Sequence, residues 1–254
     1  MRIGLISCIH ANLAAMEAVL RDAQQMHCNM MLCLGDIVGY FDHPRECVDL
    51  VRTHCQISVK GNHDEICSAS DSLRDYGPRA AEDIEWTRGE LSPSERRWLA
   101  DLPYFVDVGD FTIVHASLAA PWRWEYIFDP LAAATHFAKQ TKALCFNGHT
   151  HMPFAFQSKD GDVSGGRFTR FTIEPGIKYL VNVGSVGQPR DGTTDATYVV
   201  YDETDEVVEL RRVDYPRPPS GGHGVSKPGR GGSGPRGVLK ARSDYPKDER
   251  EGAS

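Results

Sequence analysis

The chain has 254 residues, 41% of them hydrophobic, enough to bury a substantial core, and its composition excludes fibrous and membrane-spanning classes. The formal charge of −7 is unevenly divided: residues 216–254 carry eight Lys/Arg against four Asp/Glu, leaving 20 and 31 in the body, so the body stands at about −11 and the tail at about +4. An acidic body excludes bulk attraction of a long nucleic acid and leaves phosphate recognition to local chemistry.

The apolar run Ile3-Gly4-Leu5-Ile6-Ser7 predicts a buried strand ending at Cys8-Ile9-His10. Asn12 is placed to cap a helix whose apolar stripe includes Leu13, Met16, Val19 and Leu20. Because the first apolar run stops at His10, it is too short for a signal peptide or a membrane span, and the expectation is a cytoplasmic protein with no membrane partner. The seven cysteines, at 8, 28, 33, 47, 55, 67 and 145, have neither disulfide-framework nor zinc-ribbon spacing and read as reduced thiols. Cys8 alone has metal-ligating neighbours.

Further along, Met31 to Leu34 predicts a second strand, Pro44 to about Arg52 a second helix, and Ile57 to Lys60 a third strand, a repeated β-α-β pattern. Residues 78–101 predict a helical excursion, with Pro78 early in one segment and Ser92-Pro93-Ser94-Glu95 starting another. Tyr104–Asp107 and Phe111–Val114 flank Gly109-Asp110 as a hairpin, Leu131–Lys139 predicts a helix, and Ala143–Phe146 a strand. Several more strands, separated by Gly- and Asp-rich turns, are expected between Phe154 and Leu210. Parallel pairing early and antiparallel pairing late fit an α/β fold, a four-layer α/β/β/α sandwich of two mixed sheets flanked by helices. One domain over 1–215 is expected, followed by a disordered Gly/Pro-rich basic tail over 216–254.

The turns that follow these strands carry Cys8-Ile9-His10, Gly35-Asp36, Gly61-Asn62-His63-Asp64, His115 and Gly148-His149-Thr150-His151. Each is weak alone, but five strand ends with coordination-competent groups converge on one chemistry, at the crevice where α/β sheets bind ligands. His27, His43, His54, His136 and His223 lack such context and read as ordinary histidines.

In these motifs the chain resembles the calcineurin-like metallophosphoesterases, particularly their small bacterial phosphodiesterase-like branch. The resemblance covers about residues 1–212, with Gly-Asn-His-Asp and Gly-His-Thr-His its most specific parts. It implies two divalent transition-metal ions, Mn, Fe, Zn or Ni, with Cys8, His10 and His151 on one, Asn62, His115 and His149 on the other, and Asp36 bridging them. It further implies hydrolysis of a phosphodiester or phosphomonoester by direct attack of a metal-bridging hydroxide, with Asp36 and His63 catalytic and His63 the general acid, oriented by Asp64 or Asp42. The substrate expected is a small phosphorylated compound or nucleotide, and a homo-oligomer is compatible with the sequence. Asn62 and His63 are candidate substrate contacts. So are Ser185 and Arg190, in the late Asn182–Asp191 segment, whose glycines a tight turn explains equally well.

The resemblance has two departures. Cys8 stands where an aspartate is expected, replacing a hard oxygen donor with a soft thiolate that favours Zn or Fe. Ala116 stands where glycine is common after the histidine. A non-catalytic nucleotide- or phosphate-binding regulatory protein on the same fold is the rival reading, separated from the enzyme by turnover. Cys8 as a nucleophile would need an amide-rich anion loop, which Cys8-Ile9-His10-Ala11-Asn12-Leu13 does not supply. The Tyr76–Trp98 excursion and Pro121–Tyr126 are candidates for shaping a substrate pocket, with Trp122 and Trp124 on one side if that stretch is extended.

Overall fold

A computed structural model describes residues 1–217 of the chain. The first sheet has the order β3 (Ile57–Ser58), β2 (Met30–Cys33), β1 (Arg2–Ile6), β11 (Ala196–Asp202), β12 (Val207–Val213), β9 (Arg170–Thr172). The second runs β4 (Phe105–Val108), β5 (Phe111–Val114), β6 (Leu144–Asn147), β10 (Lys178–Asn182), β7 (Phe154–Lys159), β8 (Asp162–Gly166). Both are mixed. The β1, β2 and β3 strands pair in parallel, as do β5, β6 and β10, and the remaining neighbours are antiparallel.

Alternation along each central strand fills both faces. Ile3, Leu5, Leu32, Phe111, Ile113, Phe146, Val181 and Val199 meet between the sheets. Ile6, Met31, Cys33, Tyr198 and Val200 face outward beneath α1 (Leu13–Gln25) and α2 (Pro44–His54), while Val114, Cys145 and Leu180 pack under α6 (Pro130–Phe137). The result is the four-layer sandwich the sequence pattern predicts, and strands covered on both faces explain why their apolar runs are nearly continuous. All seven cysteines are free thiols. Among the described residues no helix is long and apolar enough to cross a membrane. The basic tail expected from Pro216 onward lies, beyond Arg217, outside the described residues.

Local chemistry sets the helix ends. Asn12 Oδ1 accepts from the Ala15 amide at 3.2 Å, and Ser92 and Glu95 form a reciprocal capping box at the start of α5 (Pro93–Asp101). The expected excursion is α4 (Pro78–Glu90) followed by α5. A short helix, α3 (Asn62–Ser68), was not expected: it begins inside the Gly-Asn-His-Asp motif, and β3 is correspondingly only two residues long.

A polar clamp ties α1 to the outer face of the first sheet. Asp22 accepts the Tyr198 hydroxyl at 2.7 Å and two Arg211 nitrogens at 3.1 Å each. Burial pushes the Asp22 pKa up, but the Arg211 and Tyr198 hydrogen bonds outweigh it and hold the carboxylate below its ordinary value. We expect Asp22→Asn to cost about 1–3 kcal/mol near neutral pH. A depressed folded-state pKa gives stability that is present above the unfolded value of ~3.9 and lost as pH falls through the folded value. The difference between wild type and variant in urea midpoint should therefore shrink below about pH 4.

Candidate metal centre

The loops leaving β1, β2, β5 and β6, two from each sheet, bring the motif residues to one buried point. Cys8 Sγ, His10, Asp36 and His151 present ligand atoms all within 4.8 Å of one another, and Asp36, His115 and His149 form a second such set. Asp36 belongs to both. Its Oδ2 lies 3.6 Å from His10 Nε2 and 3.3 Å from His115 Nε2, while its Oδ1 accepts the His63 amide at 2.9 Å at the start of α3. Five of these six residues have left-handed backbone: Cys8 (φ 53°), His10 (52°), Asp36 (57°), His149 (67°) and His151 (60°). Each such conformation costs a non-glycine residue roughly 1–2 kcal/mol. The main chain offsets this by running on beside itself: the Cys8, His10 and Ala11 amides donate to Gly35, Asp36 and Ile37 carbonyls at 3.0, 2.9 and 2.9 Å.

The imidazoles are arranged for a cation. Each uses one nitrogen on a backbone carbonyl: His10 Nδ1 on Val38 (3.3 Å), His115 Nδ1 on Leu34 (2.6 Å), His149 Nε2 on Trp124 (2.8 Å) and His151 Nδ1 on Gln188 (2.7 Å). That fixes the tautomer, and the other nitrogens of neutral rings point lone pairs inward. They meet in pairs, His10 with His151 at 3.0 Å and His115 with His149 at 3.2 Å. Between the neutral His10 and His151 rings the facing nitrogens set lone pair against lone pair, and a divalent cation beside them fits. Asn62 Oδ1 is buried and has no hydrogen-bond partner among the described residues, the orphaned oxygen expected of a ligand.

Charge follows the same logic. Burial pushes the pKa of His10 and His151 well down, and together with neighbouring His115 takes His149 to about 3, so these rings are neutral donors. Asp36, which burial alone would raise, is held well below the carboxylate range by His115, His63 and His10. His115 in turn is raised by Asp36 against its own burial. The Cys8 thiol is pushed above its ordinary range by burial and then by Asp36, so without a cation it stays protonated. Its sulfur accepts the His149 amide at 3.3 Å and contacts Ser7 Oγ at 3.4 Å, a thiolate position that a metal ion would stabilise.

Around this centre several expectations change. Asp64 does not orient His63. Its carboxylate instead accepts the amides of Asp36, Ile37, Val38 and Gly61 at 2.8 to 3.3 Å, holding the Asp36 turn in place. Burial and Asp36 raise its pKa to about 7, against those amide donors. Asp42 is exposed on the surface. Ser185 is fully buried, and its hydroxyl donates to Cys8 O and accepts the Gln188 amide, both at 2.8 Å, bracing the Cys8 turn. Pro121–Arg123 is a single 3-10 turn, not an extended stretch. Trp122 is exposed, whereas Trp124 turns inward, its Nε1 donating to Glu65 at 3.0 Å and its carbonyl holding His149. His136 is an ordinary buried histidine accepting the Leu118 amide at 3.1 Å, and Ala116 is buried without disturbing the site, its carbonyl accepting from Asn147 at 2.9 Å.

His63 and Arg190 are at the mouth. His63 packs edge-on to His10, with ring centroids 4.7 Å apart, and against Tyr40 at 4.5 Å. Its ring makes no hydrogen bond to any described residue. Arg190 is exposed and donates to Gln188 Oε1 at 2.8 Å, and Tyr126 stacks on His149 at 4.1 Å with an interplanar angle of 17°. Neither tyrosine lies in a motif, so sequence reasoning missed both; only Tyr126's place in the aromatic stretch hinted at it.

Known proteins share the fold that carries this site. Residues 1–206 match the calcineurin-like phosphoesterase superfamily domain. A protein of Methanocaldococcus jannaschii, named uncharacterized protein MJ0912, is 37% identical over 218 residues, 84% of this chain and 87% of that one. The crystal structure of a metallophosphoesterase from Sphaerobacter thermophilus is 40% identical, with a TM-score of 0.77 over 85% of this chain and 88% of the other. Hypothetical protein PH1004 of Pyrococcus horikoshii OT3, 18% identical with a TM-score of 0.68 over 85% of this chain and 89% of its own, shares the fold. Two mixed sheets with a metal-competent cluster at their shared edge define a metallophosphoesterase architecture. The chain belongs to the calcineurin-like phosphoesterase superfamily.

Gly39 (φ 93°) offers a test of how His63 is placed. A Cβ there would lie 2.5 Å from His63 Nδ1, in a backbone conformation that L side chains rarely adopt. Gly39→Ala should cost about 2 kcal/mol or more, read as a fall in Tm. A neutral substitution would mean that the His63 ring is not seated against this turn.

Proposed function

We propose that the protein is a metal-dependent phosphoesterase that cleaves a phosphodiester or phosphomonoester of a small phosphorylated or nucleotide-like compound by direct in-line attack of water. The observation that carries this reading is the pair of buried ligand sets sharing Asp36, with Asn62 Oδ1 left without a protein partner. Cys8, His10, Asp36 and His151 would hold one divalent transition-metal ion, and Asp36, His115, His149 and Asn62 a second. Imidazole and carboxylate suit Mn, Fe, Zn or Ni, and the Cys8 sulfur favours Zn or Fe at its position. Once bound, the ions would supply positive charge against the phosphoryl oxygens and lower the pKa of the attacking water.

The protein's own groups do the rest. Asp36 holds the two sets at a fixed separation. Arg190, which donates to Gln188 Oε1 at 2.8 Å, presents a planar guanidinium to phosphate oxygens. Burial lowers the His63 pKa, with Asp36 opposing, so its ring is neutral at rest. A phosphate anion beside it raises that pKa, and the imidazolium can then pass its proton to the leaving oxygen. Cys8 is fully buried beneath the His149 amide, which suits a ligand and not a nucleophile.

Elemental analysis of the purified chain, with bis-p-nitrophenyl phosphate and p-nitrophenyl phosphate assayed after reconstitution with Mn, Fe, Zn or Ni, tests this. The expected result is two ions per chain and turnover that falls more than about 100-fold in Asp36→Asn. Cys8→Asp should shift the metal preference toward Mn. Metal binding without turnover of any ester under any reconstitution would move the assignment to a regulatory phosphate-binding protein. In the active enzyme, Arg190→Ala should raise KM about 5-fold or more with little change in kcat, because it removes a guanidinium–phosphate contact worth roughly 1 kcal/mol or more.

A further inference from the structure

The Trp124 carbonyl that anchors His149 is itself held from outside the cluster. Trp124 has left-handed backbone (φ 55°, ψ 38°), and its indole Nε1 donates to Glu65 Oε2 at 3.0 Å. The other oxygen, Glu65 Oε1, accepts the Tyr104 hydroxyl at 2.6 Å, and the Tyr104 and Trp124 rings meet with centroids 5.6 Å apart. Glu65 lies on α3, one turn after Asn62, so its carboxylate joins the helix that brings Asn62 to the segment that anchors His149. The Trp124 ring also packs edge-on to His115, with centroids 5.8 Å apart. Asn62, His115 and His149 are the residues that, with Asp36, are proposed above for the second ion.

We propose that Glu65 is a positioning residue for that second ion: through Trp124 it fixes which nitrogen of His149 faces the cluster. The proposal rests on the two-ion reading above and adds to it a residue outside both ligand sets. Tyr126 stacks on the His149 ring, but stacking keeps only the plane of the ring. A half-turn about Cβ–Cγ preserves that plane and exchanges Nδ1 for a carbon, which cannot ligate. The hydrogen bond from Nε2 to the Trp124 carbonyl, at 2.8 Å, distinguishes the two orientations. It keeps the proton on Nε2 and leaves the Nδ1 lone pair toward His115 Nε2, 3.2 Å away. A left-handed tryptophan is held by its surroundings and not by its own preference, and Glu65 supplies the hydrogen bond to its side chain. The first set has no such dependence: His10 is anchored on Val38, His151 on Gln188, and Cys8 on the main-chain pairing of 8–11 with 35–37. Nor does α3 need Glu65 to stay in place. Arg88 Nε and Nη2 donate to the Ile66 carbonyl at 3.1 and 2.8 Å, and Arg96 Nη2 to that of Ala69 at 2.8 Å. Losing Glu65 therefore acts on one ion position and spares the other.

Cobalt(II) titration separates the two positions, because sulfur belongs to the Cys8 set alone. A thiolate-to-cobalt charge-transfer band follows that set, and the calorimetric equivalent that adds no such band belongs to the other. Glu65→Ala should weaken this second equivalent at least about 10-fold and leave the affinity read from the thiolate band within about 2-fold of wild type. Trp124→Phe, which keeps the carbonyl and removes the indole N–H, should do the same, and the double variant should be no weaker than either alone. Glu65→Gln should recover most of the loss, since its amide oxygen can accept from Trp124 while the Tyr104 hydroxyl turns to accept its N–H. With the fold checked by far-UV circular dichroism and Tm, equal weakening of both equivalents, or of neither, in Glu65→Ala and Trp124→Phe would overturn the proposal. A readout that needs no metal is the His149 tautomer, by nitrogen NMR of the metal-free protein: Nε2–H in wild type and a mixture of forms in Glu65→Ala. One ion or none in wild type, with that tautomer change present, would remove the two-ion reading and keep Glu65 as the residue that sets the ring. A tautomer indifferent to both substitutions would overturn the role of Glu65 whatever the ion count.

Discussion

Asp36 is the constraint on which the rest of the structure depends. A carboxylate 1% exposed is tolerated only when opposite charge and hydrogen-bond donors surround it, and here they arrive from both sheets. His10 comes from the loop after β1, His115 from the loop after β5, and the His63 amide from the first turn of α3. Gly61 passes so close that a side chain there would strike the carboxylate and the Asp36 amide, so the motif's glycine is a matter of space before it is one of chemistry. Asp64, seen in sequence as a partner for His63, is what shapes the turn that carries Asp36.

The left-handed residues belong to the same constraint. Ligands spaced one residue apart, as in Cys8-Ile9-His10 and His149-Thr150-His151, would point to opposite sides of an extended strand. Positive φ at both members of each pair bends the chain so that both can reach the centre. The conformational cost is met by order elsewhere, including the continued main-chain pairing of 8–11 with 35–37 and the Ser185 hydroxyl under Cys8.

Much of this was legible in the sequence. Alternating apolar strands, Asn12 and Ser92 as caps, and polar motifs at strand ends are local signals, and they gave the sandwich and most of the residues that the structure gathers into the two clusters around Asp36. What the sequence did not show was of two kinds. Some was masked by the motif itself: Gly-Asn-His-Asp reads as a turn, while its Asp64 accepts the Gly61 amide at 3.0 Å where α3 starts. The rest depends on three-dimensional neighbours without a periodic or compositional signature. Tyr40 packs on His10 and His63 while Tyr126, 86 residues on, stacks on His149, and the Ser185 hydroxyl is taken up by Cys8 O and the Gln188 amide.

The imidazole anchors have a consequence for how freely this site can vary. His10, His115, His149 and His151 each set one ring nitrogen against a main-chain carbonyl oxygen, at Val38, Leu34, Trp124 and Gln188. A side-chain anchor is lost by a single codon change, whereas a carbonyl persists through any substitution that leaves the path of the backbone intact. Positions 34, 38 and 188 can therefore drift in identity while the rings they hold keep their bearings, so that fidelity of coordination is inherited from the fold and not from those three residues.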